Sequence, residues 1–238
     1  MNFSIIIPVY NEEKRIPKNI DEIFGFFNGI HDHKIEIIFV NDGSVDATSN
    51  VLRDYKEKYA FQVVEYIENK GKGYAIREGV RQATGDWIVF FDIDLATPLN
   101  EFNQLLETLV AEDEVVIGSR RLEKSEIKKS ESRLRTFLGQ GFTKISNILV
   151  PGISDFTCGF KCFSRRSALA IFGVAKIDRW GFDTELLYIA KLKKFAVRQI
   201  PVKWLHDEDS RVRVLKAVID SSKELCIMKL NQLKGYYK

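Results

Sequence analysis

Short apolar runs that end abruptly in knots of polar residues, each followed by a stretch of helical periodicity, recur through the first 120 residues. That alternation restricts the fold more than any other feature of the chain. Phe3–Val9 reads as a strand buried on both faces of a parallel sheet, and it runs into Pro8-Val9-Tyr10-Asn11-Glu12-Glu13. Pro17 suits the first turn of a helix whose buried face is Ile20, Ile23, Phe24 and Phe27. Ile35–Val40 then delivers Asn41-Asp42-Gly43-Ser44, after which Ser44 or Asp46 can cap a helix through Val51, Leu52 and Tyr55. Val63–Ile67 precedes Asn69-Lys70-Gly71-Lys72-Gly73 and a helix with Ala75, Ile76 and Val80 on one side. Pro98 opens another helix with Phe102, Leu105, Leu106 and Leu109 inward, and Val115–Ile117 ends in Gly118-Ser119-Arg120-Arg121. The pattern predicts an α/β fold with right-handed crossovers. Ligands of such sheets bind beyond the carboxyl ends of the strands, where each polar knot falls.

The sharpest knot follows Gly85-Asp86: Trp87-Ile88-Val89-Phe90-Phe91-Asp92-Ile93-Asp94-Leu95-Ala96. Two carboxylates at the end of a core strand repel each other and resist dehydration, so a divalent cation or a set of donors accounts for the pair. A hard cation on one or two protein carboxylates keeps coordination positions for phosphate oxygens. The plainer reading is that Asp92 and Asp94 cap the next helix or form a turn. The glycines of 69–73 have neither Walker nor Gly-X-Gly-X-X-Gly spacing, so those nucleotide motifs are excluded.

At 238 residues, length favours one domain. A net charge of +3 is too small to call for a nucleic-acid partner, but the basic residues gather at Arg120–Arg135 and Arg211–Lys238, which suits an anionic ligand or membrane surface. Cys158, Cys162 and Cys226 form neither a disulfide framework nor a zinc pattern, and reduced cytosolic thiols are expected. His31, His33 and His206 read as surface or loop residues. No signal peptide is visible, and no apolar segment approaches the roughly 20 residues of a membrane span.

After Arg121 the character changes. Residues 122–133 read as an exposed loop, followed by a helical stripe of Leu134, Leu138, Phe142, Ile145 and Leu149 flanked by Arg133, Arg135 and Lys144. Core packing and an interfacial or lipid-binding helix are both open for that stripe. Asp155–Phe163 is expected to return to the sheet as a short strand, and Ser167–Phe172 to form a short helix. Trp180-Gly181-Phe182-Asp183-Thr184-Glu185 enters the apolar helix 186–192, where helix capping is the plain account of the two acids. Ala196–Pro201 reads as a late strand, and Leu215, Val218, Ile219, Leu225, Met228 and Leu233 mark a lysine-rich amphipathic helix.

Seven segments in order give the chain a resemblance to the family 2 glycosyltransferases of the GT-A fold, within them the polyprenol-phosphate sugar transferases. They are Ile7–Glu13, Val40–Ser44, Asn69–Gly73 with Arg77 and Gly79, Asp92–Asp94, Gly118–Arg120, Asp155–Lys161 and Phe182–Glu185. Asn-Lys-Gly-Lys-Gly, Asp-Ile-Asp-Leu-Ala-Thr and Cys-Gly-Phe-Lys are most similar to the dolichyl-phosphate glucosyltransferase branch. Related mannosyltransferases commonly carry Gln where this chain has Ala96, which argues against mannose.

The resemblance implies a single GT-A domain with a mixed, mostly parallel central sheet flanked by helices. Residues 1–121 would form its nucleotide-sugar half, and 122–238 its acceptor half with the basic loop and C-terminal helix. It implies inverting transfer of a sugar, glucose favoured, from a nucleotide-diphosphate sugar such as UDP-glucose to a polyprenyl phosphate at a cytoplasmic, peripheral membrane location. Pro8, Tyr10, Glu12, Asp42, Lys70, Arg77, Asp92, Arg120 and Arg211 would bind the donor, Asp92 and Asp94 would hold Mg2+ or Mn2+, and Arg133 and Arg135 would meet the acceptor. Asp94 would serve the chemistry through the metal. Asp183 would be the base if the acceptor were instead a saccharide hydroxyl, the alternative reading; a non-catalytic sugar-nucleotide-binding module is a further one.

Overall fold

The computed structural model describes residues 1–127, 133–179, 181–205 and 214–238. Its strands are β1 (Asn2–Val9), β2 (Lys34–Asp42), β3 (Gln62–Tyr66), β4 (Trp87–Phe90), β5 (Val115–Ser119), β6 (Glu126–Ile127), β7 (Lys161–Ser164), β8 (Val197–Pro201) and β9 (Lys203–Trp204). Its helices are α1 (Ile16–Asn28), α2 (Thr48–Lys56), α3 (Lys72–Gln82), α4 (Asn100–Thr108), α5 (Arg133–Leu149), α6 (Arg165–Phe172), α7 (Phe182–Leu192) and α8 (Val214–Leu233). Seven strands form one sheet in the order β3-β2-β1-β4-β7-β5-β8, while β6 and β9 pair separately. Every neighbour in the large sheet is parallel except β7, which runs antiparallel between β4 and β5.

The strands are apolar because both faces of the sheet are covered. On β1, Ile6 faces a core shared with α3, α6 and α7 (Ile76, Ile171, Leu187), whereas Ile5 and Ile7 face a second core with α1 and α4 (Ile20, Phe24, Phe102). Each wholly buried Ile or Phe contributes about 1.5–3 kcal/mol of transfer free energy. The sheet order reverses direction at β1, with β2 on one side and β4 on the other. In such sheets ligands bind beyond the carboxyl ends at the switch point, which here lies between the turns that follow β2 and β4.

Several expected boundaries move. Strand β4 stops at Phe90, so Asp92 and Asp94 lie in a turn beyond it, and β2 extends to include Asn41 and Asp42. The strand expected over 155–163 contracts to Lys161–Ser164, leaving 155–160 outside the ladder. The loop expected over 122–133 contains β6, with 128–132 outside the described residues. Helix α2 is capped by neither Ser44 nor Asp46 at its N-cap, which is Ala47; Asp46 instead accepts the Thr48 N–H at 3.0 Å. Of the stripe expected on α5, Phe142 is buried and Leu149 packs against the core, Ile145 is 43% exposed, and the side chains of Leu134 and Leu138 lie outside the described residues; the buried line runs through Phe142, Ser146 and Val150. Residues four apart stack on one face, and Ile145 falls roughly a quarter turn away from that line. Among the described residues no helix is long and apolar enough to cross a membrane. Cys158 and Cys162 are buried thiols and Cys226 is exposed, all three free.

Candidate active site

The turn after β4 is held from several directions. Leu95 N–H donates to Asp92 O at 3.2 Å, and Ala96 N–H to the Asp94 carboxylate at 3.0 Å. From α1, Asn19 donates to Ile93 O at 2.7 Å, and Leu205 N–H beyond β9 donates to Ala96 O at 2.7 Å. Leu95 adopts φ +52°, a left-handed conformation that a leucine takes only when its surroundings impose it. The half-buried Asp94 carboxyl is raised above the ordinary aspartate range, first by burial and then by the charge of Asp92, while the Ala96 N–H, Lys72 and Arg15 pull it back. Lys72, at the start of α3, pairs its ammonium with Asp92.

Residues 155–161 strap this turn to the rest of the sheet's carboxyl edge. At one end the buried Asp155 takes a two-pronged pair from Arg120, Nε at 2.7 Å and Nη2 at 2.9 Å, plus the Arg120 backbone N–H. Arg120 also covers the Trp204 ring and donates to Thr157. Burial opposes ionisation of Asp155, yet the Arg120 guanidinium prevails and holds its carboxyl well below the usual range. In the middle, Gly159 lies so close to the Asp92 carboxylate that a Cβ there would overlap it. At the far end Lys161, opposite Phe90 and Ile117 in the sheet, is wholly buried. Its ammonium donates to Cys158 O and to Asp183 Oδ1, each at 2.5 Å, and lies over the Phe90 ring. Because β7 is antiparallel, its first residue falls at the edge where its neighbours end.

Asp183 and Glu185 are not simple caps for α7. Asp183 faces Lys161, and its carboxyl is raised by burial against the opposing pull of Lys161 and Lys72, with Asp92 adding to the rise. Glu185 is buried and accepts the Lys176 and Ile177 backbone N–H groups and, at 2.5 Å, the Tyr237 hydroxyl. The same 176–178 turn holds α3, since Asp178 O accepts the Gly73 N–H at 2.8 Å.

The remaining expected residues divide between site and scaffold. Asp42 is buried and accepts four donors, Tyr66 Oη at the end of β3 and Asn69 Nδ2, Lys70 N and Gly71 N from the loop after it, at 2.7–2.9 Å. Gly71 has φ +110° and presses against Asp178 O, leaving no room for a side chain. The Lys70 ammonium lies over Tyr66 and Tyr74. Arg77 is taken up by Asp178 and Ala175 O, holding the 175–178 turn. Pro8, one residue before the end of β1, lies beside Val40, Tyr10 is exposed, and Glu12 pairs with Arg15 at 2.8 Å. Arg211 and His206 lie outside the described residues; Arg133 and Arg135 fall in the first turn of α5, with their side chains likewise outside. The structure thus gathers Asp92, Asp94 and Asp183 around Lys72. The reading from sequence gave Lys72, Lys161 and Arg15 no individual role. Two of these are spaced as the lysines of Asn-Lys-Gly-Lys-Gly and Cys-Gly-Phe-Lys; Arg15 carries no such signal.

The donor set fits a hard divalent cation. Asp92 and Asp94 offer two oxygen ligands on one turn, and among the described residues no group of three or more His, Cys, Asp or Glu forms a self-sufficient cage. Such an ion would take its other ligands from water or phosphate, as magnesium and manganese do at nucleotide sites.

A mostly parallel sheet whose switch point carries paired aspartates on a turn is the architecture of a GT-A glycosyltransferase. Residues 4–172 match the profile of Glycosyl transferase family 2, and the chain belongs to that family. Curated dolichyl-phosphate beta-glucosyltransferases are similar over essentially the whole chain. The Drosophila melanogaster protein is 34% identical over 100% of this chain and 77% of its own length. The Homo sapiens protein is 35% identical over 99% of this chain and 77% of its own. Among solved structures, glucosyl-3-phosphoglycerate synthase from Mycobacterium tuberculosis, in complex with Mn2+, UDP and glucosyl-3-phosphoglycerate, superposes with a TM-score of 0.68 at 19% identity, covering 97% of this chain and 79% of that one. A mannosyltransferase from Pyrobaculum calidifontis with GDP-Man and Mn2+ gives 0.61 at 22% identity, covering 88% and 57%.

Proposed function

We propose that this glycosyltransferase moves glucose from UDP-glucose to a polyprenyl phosphate, with inversion, assisted by Mg2+ or Mn2+ at Asp92 and Asp94. The observation that carries the choice of acceptor is the Lys161–Asp183 pair. Asp183 already accepts from a buried ammonium, and taking up a proton would leave that ammonium without its counter-charge, so the site suits an acceptor that arrives ionised. A phosphate monoester does, its second pKa being about 6. The kinship with dolichyl-phosphate beta-glucosyltransferases supports the same acceptor class.

In this reading Asp92 and Asp94 present their oxygens towards the donor diphosphate, and Leu95 and Ala96 keep the turn from relaxing. A divalent cation there would act as the Lewis acid that offsets charge on the departing nucleoside diphosphate. The Asp42 loop would line the nucleotide end with Pro8, Tyr10, Glu12 and Lys70. Arg120 would stand by the phosphates, fixed by Asp155, and Arg211 would join it. Arg133 and Arg135 would draw in the lipid phosphate, and 1–238 would work as one domain. We place it peripherally on a cytoplasmic membrane face: α8 exposes Ile227, Leu230 and Leu233 along one line with Lys223 and Lys234. Each such cation contributes about 1 kcal/mol at an anionic surface.

The test is transfer from radiolabelled UDP-glucose to a short polyprenyl phosphate, with chelator and with Mg2+ or Mn2+ restored. We expect metal-dependent transfer that the Arg133→Ala, Arg135→Ala double variant loses while slow donor hydrolysis survives. Preference for a soluble saccharide, with Asp183→Asn abolishing it, would replace this reading with the saccharide one.

A further inference from the structure

The two lysines beside the aspartate turn are held in different ways. Lys161 is wholly buried and locked by a backbone carbonyl as well as by Asp183. Lys72 has a side chain 36% exposed, and its ammonium pairs with one oxygen of Asp92. The backbone beneath it is fixed: Gly73 N–H is bonded to Asp178 O, and Gly71 and Gly73 are pressed against Asp178 O and Phe182. Movement at this point therefore belongs to the Lys72 stem, not to α3.

Three carboxylates, Asp92, Asp94 and Asp183, face two ammoniums, Lys72 and Lys161, while Arg15 near Asp94 is offset by its own partner Glu12, so the cluster is left with a single net negative charge. Affinity for a hard cation follows the number of anionic ligands. With Asp92 engaged by Lys72, the cluster is a poor host for a bare divalent ion. A diphosphate changes that balance by bringing anionic oxygens to the cation and a new acceptor to the ammonium.

We infer that Lys72 is a built-in counter-ion to Asp92: it keeps the turn from holding a divalent cation alone and yields Asp92 when a nucleoside diphosphate arrives, so that metal and nucleotide enter together. This rests on the reading of Asp92 and Asp94 as the cation site. It makes Lys72 a gate on metal loading in addition to any contact with phosphate.

The test is an electron paramagnetic resonance titration of Mn2+ against the full chain, with and without UDP, and with neither sugar nor acceptor. The wild type should bind bare Mn2+ weakly and tighten by more than about tenfold with UDP. Lys72→Met should bind bare Mn2+ about tenfold tighter than wild type and gain less than about threefold from UDP, the cation's attraction rising with net negative charge. Lys72→Arg, which keeps the charge, should behave as wild type. Circular dichroism checks folding, and Lys72→Gln serves if the Met variant does not fold. No gain in bare Mn2+ affinity in the folded neutral variant overturns the counter-ion and leaves the metal site standing. A gain that persists when Asp92→Asn is added shows the ion bound elsewhere and sinks the metal assignment as well.

Discussion

Asp42 and Asp92 leave strands that both border β1, yet their carboxylates meet opposite fates. Asp42 is 4% exposed and receives four donors from its own chain, two hydroxyl or amide side-chain groups and two backbone N–H groups. Asp92 is half-buried, faces a second carboxylate two residues away, and is paired with a lysine on a flexible stem. A carboxylate saturated by its own loop is architecture. One that is crowded by like charge and held by a movable cation retains the capacity to exchange partners, and ligand chemistry needs that capacity.

The largest effect that can break this contrast is on transfer. Asp94→Asn should lower the rate about a thousandfold, the scale of losing a dedicated electrostatic stabiliser, while the melting temperature stays near wild type or rises. The rise follows from the sign of its shift: a carboxyl held above its unfolded value costs stability at neutral pH, and the amide removes that cost. A large fall in melting temperature with activity intact would put Asp94 with Asp42 as scaffold.

Arg120→Ala should cost about 3 kcal/mol in urea unfolding by leaving Asp155 buried without its partner. The same pair sets a pH dependence. Because the Asp155 carboxyl is depressed, its stabilisation is fully present above the unfolded value of about 3.9 and is lost as pH falls towards the folded one. Melting temperature should therefore decline from about pH 4 downward in wild type and more shallowly in Arg120→Ala; parallel curves would refute the assignment.

Asp42→Asn should cost about 1–3 kcal/mol, because an amide NH2 would confront donors where a carboxylate accepts them. A turn residue at a strand end would contribute little to packing, and its loss would move KM for the donor far more than stability. Placement within β2 under four hydrogen bonds predicts a loss of stability alongside any rise in KM for the donor. If only KM moves, the contrast with Asp92 weakens. Tyr66→Phe, which removes one of the four donors, should cost about 1 kcal/mol in the same unfolding measurement and is the finest probe of the set.

The parts legible from sequence were those encoded by local period. The β1, β2 and β4 runs announce burial on both faces, and the charge of Asp92 and Asp94 stands out because it interrupts such a run. Pairings between distant segments had no local mark. Lys161 in Phe-Lys-Cys-Phe reads as the polar side of a strand, and nothing beside it signals Asp183, 22 positions on. Glu185 resembled a first-turn acid favoured by the helix dipole; two of its donors come from the 176–177 turn and the third from Tyr237, 52 positions away. On α5 the stripe holds at Phe142 and Leu149 and fails at Ile145, since which line of a helix is buried depends on what packs there, and α8 lies far along the chain.

The reversed strand β7 also governs how the chain can be assembled. It fills the place between β4 and β5, so the edge each turns towards the other stays unpaired until residues 161–164 have joined. A fragment ending at residue 121 would expose the apolar Trp87–Phe90 strand along an unpaired edge, a template for aggregation. During synthesis the first 121 residues must wait for residues 161–164, and such late, long-range closure is the slow kind of folding step. Cutting the chain after residue 121 should therefore yield insoluble pieces, recoverable only when both are expressed together.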